Sequence, residues 1–227
     1  TISADAGTAC GVTAETGTSM ACPAIAGAAL LARQYYTDGF YPSGIAVPED
    51  ARTPSGALLK DTLINAAVDM TGVTGYPSNG EGWGRLLLDN GLYFSGDARK
   101  LVIADVRNVS GLTTSQTVSF PLNVLSAGQP LKIVLAFTSP AAAVNAANPV
   151  INNLDLELIG PGGTYKGNVF TGGQSAPGGT ADAKNNVEVV LLSAPPAGAY
   201  TVTIKATAVN QGKQGYAMVA TGDLGPA

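Results

Sequence analysis

The chain has 227 residues, 45% of them hydrophobic and 12% charged, with a formal net charge of −4. That composition supplies a buried core, and sparse lysine and arginine offer no basic face to neutralise phosphates, which argues against a nucleic-acid partner. The longest apolar run, Ala24 to Ala32, is about half of what a bilayer span requires, so membrane insertion is not expected.

The first elements surround a serine. Residues 5–11, DAGTACG, have the composition of a hairpin turn. Next comes AETGTSMACP, from Ala14 to Pro23, and then AIAGAALLARQYY, which reads as a helix begun by Pro23, where a missing N–H costs nothing. That helix is apolar nearly all round as far as Arg33, so burial is expected. Ser19 stands just ahead of it, with Gly17 permitting a tight turn. Unpaired N–H groups at the helix start, with the positive end of its dipole, suit a nucleophile whose attack creates an oxyanion; they suit an ordinary serine cap equally well. A serine hydroxyl also needs a base, and the chain contains no histidine. Cys10 and Cys22 lie either side of Ser19. A bridge between them would pin this segment, whereas Cys22 also suits the helix start as a free apolar side chain, and Cys10 could pair outside these residues.

Further along, Thr53 to Ala67 predicts a second helix, capped by Thr53 or Ser55, with an apolar stripe at Leu59, Leu63, Ala66 and Ala67. A glycine-rich loop follows, GYPSNGEGWGRLLLDNGL, which holds the single tryptophan, Trp83. From about Lys100 the pattern changes to period two, with strand candidates KLVIADV, TVSFPLNV, PLKIVLAFTS, NLDLELIG, NNVEVVLLS, AYTVTIKATAV and GYAMVAT separated by Gly, Pro, Asn and Ser clusters. Leu154, Leu156 and Leu158 alternate with Asp155 and Glu157, and Tyr200, Val202, Ile204 and Ala206 form a second inward set. Strands so spaced predict an antiparallel sandwich or jelly roll. The expected division is residues 1–98 and residues 99–227.

GTSMACP followed by AIAGAALL resembles the nucleophile segment of the subtilisin-like serine proteases, the subtilases, whose pattern is Gly-Thr-Ser-Met-Ala-x-Pro. Gly17, Thr18, Ser19, Met20, Ala21, Pro23 and Gly27 match it; Cys22 and Ala24 stand where other residues are common. TISA at the start is similar to a second family segment. GYPSNGEGWGRLLLDNGL and the two stretches NNLDLELIGPGG and NNVEVVLLSAPPAGAYTVTI are similar to a bacterial subgroup with a C-terminal jelly-roll β-barrel. The resemblance implies an α/β subtilisin-like catalytic domain, of which residues 1–98 are the C-terminal portion, followed by an all-β antiparallel jelly roll.

In function it implies a secreted serine endopeptidase acting on protein or peptide substrates. Ser19 is the expected nucleophile, and Gly17, Thr18 and Met20 are its neighbours at the oxyanion and substrate site. The triad Asp and His and an oxyanion Asn are expected upstream, in an N-terminal portion of the same protease, so this chain is read as a piece of something longer and inert by itself. Glu15 is the nearest carboxylate; glutamate serves as base in the related sedolisins, but there too it comes from far upstream. The alternatives are a non-catalytic binding or structural fragment and a pseudoprotease. No cofactor is expected for catalysis. Secreted subtilases usually bind structural calcium, and the oxygen-rich clusters NNLD and DAKNNVE make Asp155, Asp182 and Glu188 the candidate ligands, although such residues at strand ends are commonly turn formers.

Overall fold

A computed structural model describes every residue except Ala6, Thr8, Asn148 and Ala227. A hairpin opens it: β1 (Ile2–Ala4) pairs antiparallel with β2 (Val12–Ala14). Two positions of the expected 5–11 turn, Ala6 and Thr8, lie outside the described residues; across that turn the Asp5 N–H donates to the Gly11 carbonyl at 2.9 Å. Helix α1 (Thr18–Thr37) and helix α2 (Gly56–Ala66) follow, then the two-residue strands β3 (Ala67–Val68) and β4 (Arg85–Leu86), which pair with each other.

The remaining strands are β5 (Lys100–Val106), β6 (Thr117–Val124), β7 (Leu131–Ala136), β8 (Asn152–Gly160), β9 (Gly163–Thr171), β10 (Gln174–Pro177), β11 (Val187–Leu192), β12 (Gly198–Val209), β13 (Tyr216–Gly222) and β14 (Leu224–Gly225). All pair antiparallel, in a four-stranded sheet of order β11-β7-β13-β5 and a six-stranded sheet of order β10-β9-β8-β12-β6-β14. The two sheets share one apolar core, in which Leu154, Leu156, Leu158, Tyr200, Val202, Ile204 and Ala206 all point inward as their period-two pattern predicts. Strand β9 is absent from the sequence reading because its glycines and its polar Lys166 and Asn168 obscure the alternation. It is recruited by the tight turn after β8, where Gly160 pairs with Gly163.

Three expectations for the helices are corrected. First, α1 begins at Thr18, so Pro23 lies inside it rather than at its first position. Having no N–H, Pro23 cannot bond the Ser19 carbonyl four residues back. Second, α1 is not buried along its apolar length: no residue from Thr18 to Leu31 is buried, and Ile25, Leu30 and Leu31 are 45%, 67% and 59% exposed. Apolarity requires a covering element, and none of the described residues packs on this face; only the last turns, through Ala32, Tyr35 and Tyr36, enter a core. Third, the buried face of α2 is Leu58, Asp61, Thr62, Asn65 and Ala66, rotated from the predicted stripe, with Leu59 and Leu63 half-buried.

Polar docking explains the rotation. The outer face of the four-stranded sheet presents backbone to α2. There the Ala136 N–H donates to Asp61 Oδ2 at 3.1 Å, and Asn65 Nδ2 donates to the carbonyls of Lys132 and Val219 at 3.0 and 3.3 Å. Thr221 Oγ1 donates to Asn65 Oδ1 at 2.7 Å, and the Tyr36 and Thr62 hydroxyls, 2.9 Å apart, tie α1 to α2. Ser55 caps α2 as expected, accepting from the Leu58 N–H at 3.0 Å. An apolar cluster then spans the expected division at residues 98–99: Tyr35, Tyr36, Leu58 and Leu92 pack with Leu101, Ala217 and Val219. Strands β7 and β13, covered on both faces, are buried throughout. Among the described residues no helix is long and apolar enough to cross a membrane.

Candidate functional site

Ser19 is the second residue of α1, and it is exposed. The helix is entered through Gly17, whose backbone is extended at φ 160° and ψ 171°, and no side chain caps it. Of the first-turn N–H groups, those of Met20 and Ala21 both donate to the Gly17 carbonyl at 3.1 Å. Those of Thr18 and Ser19 bond no described residue. No acidic residue lies in this turn, so the positive end of the helix dipole is unopposed beside the Ser19 hydroxyl. The site therefore has an accessible hydroxyl next to free backbone donors, the two parts of an acyl-transfer site that one segment can supply.

The structure places the other named residues as follows. Thr18 is exposed beside Ser19, and Met20 is half-buried beneath it. No tight turn demands Gly17: a Cβ there would meet only Met20 Sδ, at 3.8 Å. Glu15 is exposed at the end of the hairpin, its N–H donating to the Thr1 carbonyl at 3.0 Å. Cys10 and Cys22 are separate, exposed thiols, so the considered bridge between them is not formed. Cys10 sits at the turn end of the β1–β2 ladder with φ 60°, and Cys22 lies in the first turns of α1 beyond the ladder's other end.

Each of the three candidate calcium ligands has a hydrogen-bond partner in the protein, but Glu188 Oε1 and, next to Asp155, Asn153 Oδ1 are buried with none among the described residues. Asp155 Oδ1 accepts from Asn153 Nδ2 at 2.8 Å, and its Oδ2 accepts from the Thr207 hydroxyl. Asp182 accepts from Asn168 Nδ2 at 2.7 Å, Asn185 Nδ2 at 2.6 Å, and the N–H groups of Lys184 and Asn185. Partial burial raises its pKa, but those donors outweigh that and leave it below the usual range. Glu188 is fully buried and its Oε2 accepts from the Leu156 N–H at 2.7 Å; burial pushes its pKa up to about 9, with Asp155 and Asp182 adding to the rise. Among the described residues no three His, Cys, Asp or Glu side chains form a metal-binding group.

Beside the last turns of α1 lies an open apolar cavity of about 430 Å3, walled by Leu31, Tyr35, Phe40, Leu88, Leu92 and Phe94. Tyr35 stacks on Phe40 at 5.6 Å between centroids and meets Phe94 edge-on at 5.5 Å. Further towards the start of α1, Ile25, Leu30 and Leu31 point to different sides of the helix and are all exposed, so its apolar N-terminal length is uncovered all round. Trp83 sits in its expected loop and packs against Phe170 of β9, with ring centroids 6.2 Å apart.

Comparison with known proteins gives the following. Residues 2–84 match the model of the subtilase family, peptidase S8. Two proteins of Dictyostelium discoideum named serine protease/ABC transporter B family proteins are similar over most of this chain. The protein tagA is 30% identical over 89% of this chain and 12% of its own length, and tagB is 29% identical over 95% of this chain and 14% of its own length. The chain thus spans about an eighth of the length of the curated relatives it matches. Among solved structures, a periplasmic inhibitor of g-type lysozyme from Aeromonas hydrophila is similar over 58% of this chain and 91% of its own, at 12% identity and a TM-score of 0.29, a likeness too slight to bear on fold or function. Ser19 lies inside the segment, residues 2–84, that is similar to the subtilase family.

Proposed function

We propose that these residues are the serine-bearing part of a secreted subtilisin-like endopeptidase, residues 1–98 completing the α/β catalytic domain and residues 99–227 forming a jelly roll. The carrying observation is Ser19, exposed in the first turn of α1 between unpaired backbone donors and within the Gly-Thr-Ser-Met-Ala-x-Pro pattern. In this reading a histidine from the rest of the polypeptide takes the Ser19 proton as Oγ attacks the scissile carbonyl. The Ser19 N–H, with an asparagine from that same portion, holds the oxyanion; the amine leaves with the proton, and water then releases the acyl group. Gly17 leaves room for the peptide beside the serine, Thr18 adds its hydroxyl to the oxyanion site, and Met20 packs beneath.

Two further observations support the reading. The apolar N-terminal length of α1, exposed all round at Ile25, Leu30 and Leu31, is the kind of segment that the N-terminal portion of the protease would enclose. The strand orders β11-β7-β13-β5 and β10-β9-β8-β12-β6-β14 place successive strands alternately in the two sheets except for the run β8 to β10, an alternation that a jelly roll also has.

The test is labelling with a fluorophosphonate probe. The intact polypeptide should be labelled at Ser19, and Ser19→Ala should abolish labelling and lower peptide cleavage by about 10³-fold or more. The isolated 227-residue chain, having no histidine, should stay unlabelled. Labelling of the isolated chain would instead make Glu15 a competent base, and an unlabelled intact polypeptide would mark a pseudoprotease.

A further inference from the structure

Lys132 occupies the middle of a sheet that the sequence pattern would leave open on one side. It is 6% exposed, and its Nζ donates to the Ala67 carbonyl at 2.8 Å and to the Tyr76 hydroxyl at 3.3 Å. An ammonium has three N–H donors, so the third has no acceptor among the described residues. Nor does any carboxylate offset the charge: among the described residues Lys132 forms no ion pair. Keeping a buried lysine protonated without a counter-charge is costly, and an anion brought to it removes that cost.

The side chain borders a cavity of about 240 Å3 at the seam between the β3–β4 hairpin and the sandwich. Arg99 borders the same cavity. Its Nη1 donates to Asn90 Oδ1 at 2.8 Å and its Nη2 to Gln129 Oε1 at 2.9 Å, both neutral groups, so it too lacks an anion. The one acidic residue on the wall, Asp69, is exposed and pairs with neither cation. Thus two basic side chains of an acidic chain line one hollow, and neither is paired with its single wall carboxylate. The rest of the wall includes apolar surface from Val68, Pro130 and Leu191.

We propose that this cavity binds a small organic carboxylate, its anionic oxygens on Lys132 and Arg99 and its carbon skeleton against Val68, Pro130 and Leu191. A cavity of about 240 Å3 suits a small ligand. Burial lowers the Lys132 pKa to about 7, so the empty site holds a partly neutral amine, and an arriving carboxylate draws a proton onto it. The other titratable groups facing the cavity are Arg99, Asp69 and Tyr76; burial, with Asp69 and Glu81 nearby, raises Tyr76 to about 12, outside the working range. The site bridges the subtilase-like segment and the sandwich, so occupancy ties the two together. It does not depend on Ser19 chemistry.

The test is calorimetric titration of the intact polypeptide with succinate, with sulfate at matched ionic strength as the competing anion. Succinate should bind at pH 6.0 and weaken at least tenfold by pH 8.5, while sulfate binds at least tenfold more weakly. Lys132→Met should weaken succinate at least twentyfold, Arg99→Gln about fivefold, and Ser19→Ala not at all. On the wild-type protein, Nζ-detected NMR should show the Lys132 titration midpoint moving up by a unit or more with saturating succinate, which needs no variant to fold. No succinate binding, a pH-independent affinity or an unmoved Lys132 midpoint overturns the site, and equal binding of sulfate overturns the organic ligand class.

Discussion

Asn65 is the place to test whether α2 is anchored to the sandwich by polar docking. Asn65→Ala removes three hydrogen bonds, to the Lys132 carbonyl at 3.0 Å, to the Val219 carbonyl at 3.3 Å, and from Thr221 Oγ1 at 2.7 Å. At about 1 kcal/mol each the bonds contribute about 3 kcal/mol, and the Thr221 hydroxyl, left buried without its acceptor, adds about 1 more. A loss of about 4 kcal/mol is a large share of the 5–15 kcal/mol typical of a folded domain. In urea, at an m-value of about 2 kcal/mol/M, the unfolding midpoint should fall by about 2 M, followed by Trp83 fluorescence and by circular dichroism. Thr221→Val should cost about 1–2 kcal/mol, and the double variant less than the sum by about 1 kcal/mol, because both changes remove the same bond. A midpoint shift below about 0.5 M, or strict additivity, would refute the docking.

Other substitutions probe the same structure. Gly91→Ala should destabilise by about 2 kcal/mol or more in the same urea assay, since its Cβ would lie 2.7 Å from Ala66 Cβ and 2.9 Å from the Thr62 carbonyl oxygen, where backbone cannot yield. Lys132, with its folded pKa lowered to about 7 from 10.5, leaves the folded state binding fewer protons than the unfolded one between those values, so wild-type stability should rise with pH from 7 towards 10. Lys132→Met should abolish most of that rise, and parallel stability curves for the two proteins would contradict the assignment. Both Cys10 and Cys22 should react with a thiol reagent in the folded protein without reductant or denaturant; fewer than two modified thiols would contradict their exposure.

Much of this protein is written locally. The Gly-Thr-Ser-Met-Ala-x-Pro segment singles out Ser19 as the candidate nucleophile, the Ser55 cap marks the start of α2, and strict alternation in NLDLELI and AYTVTIKA sets which side chains of β8 and β12 face the core, because a period of two assigns faces without reference to any partner. What lies on the other side of an element is a different matter. The apolar length of α1 predicts burial, yet burial depends on a neighbour, and none of the described residues covers Ile25 or Leu30. Alternation in β7 would turn Lys132 to water, but the Ala67 carbonyl and the Tyr76 hydroxyl close over it. Likewise Asp61 and Asn65, polar residues that the sequence assigns to the surface, form the buried face of α2, since unpaired groups on the sheet and on the helix satisfy one another. Hydrophobic periodicity records how much of an element should be hidden; which partner hides it, and whether a polar group is matched there, is decided only when segments distant in sequence meet.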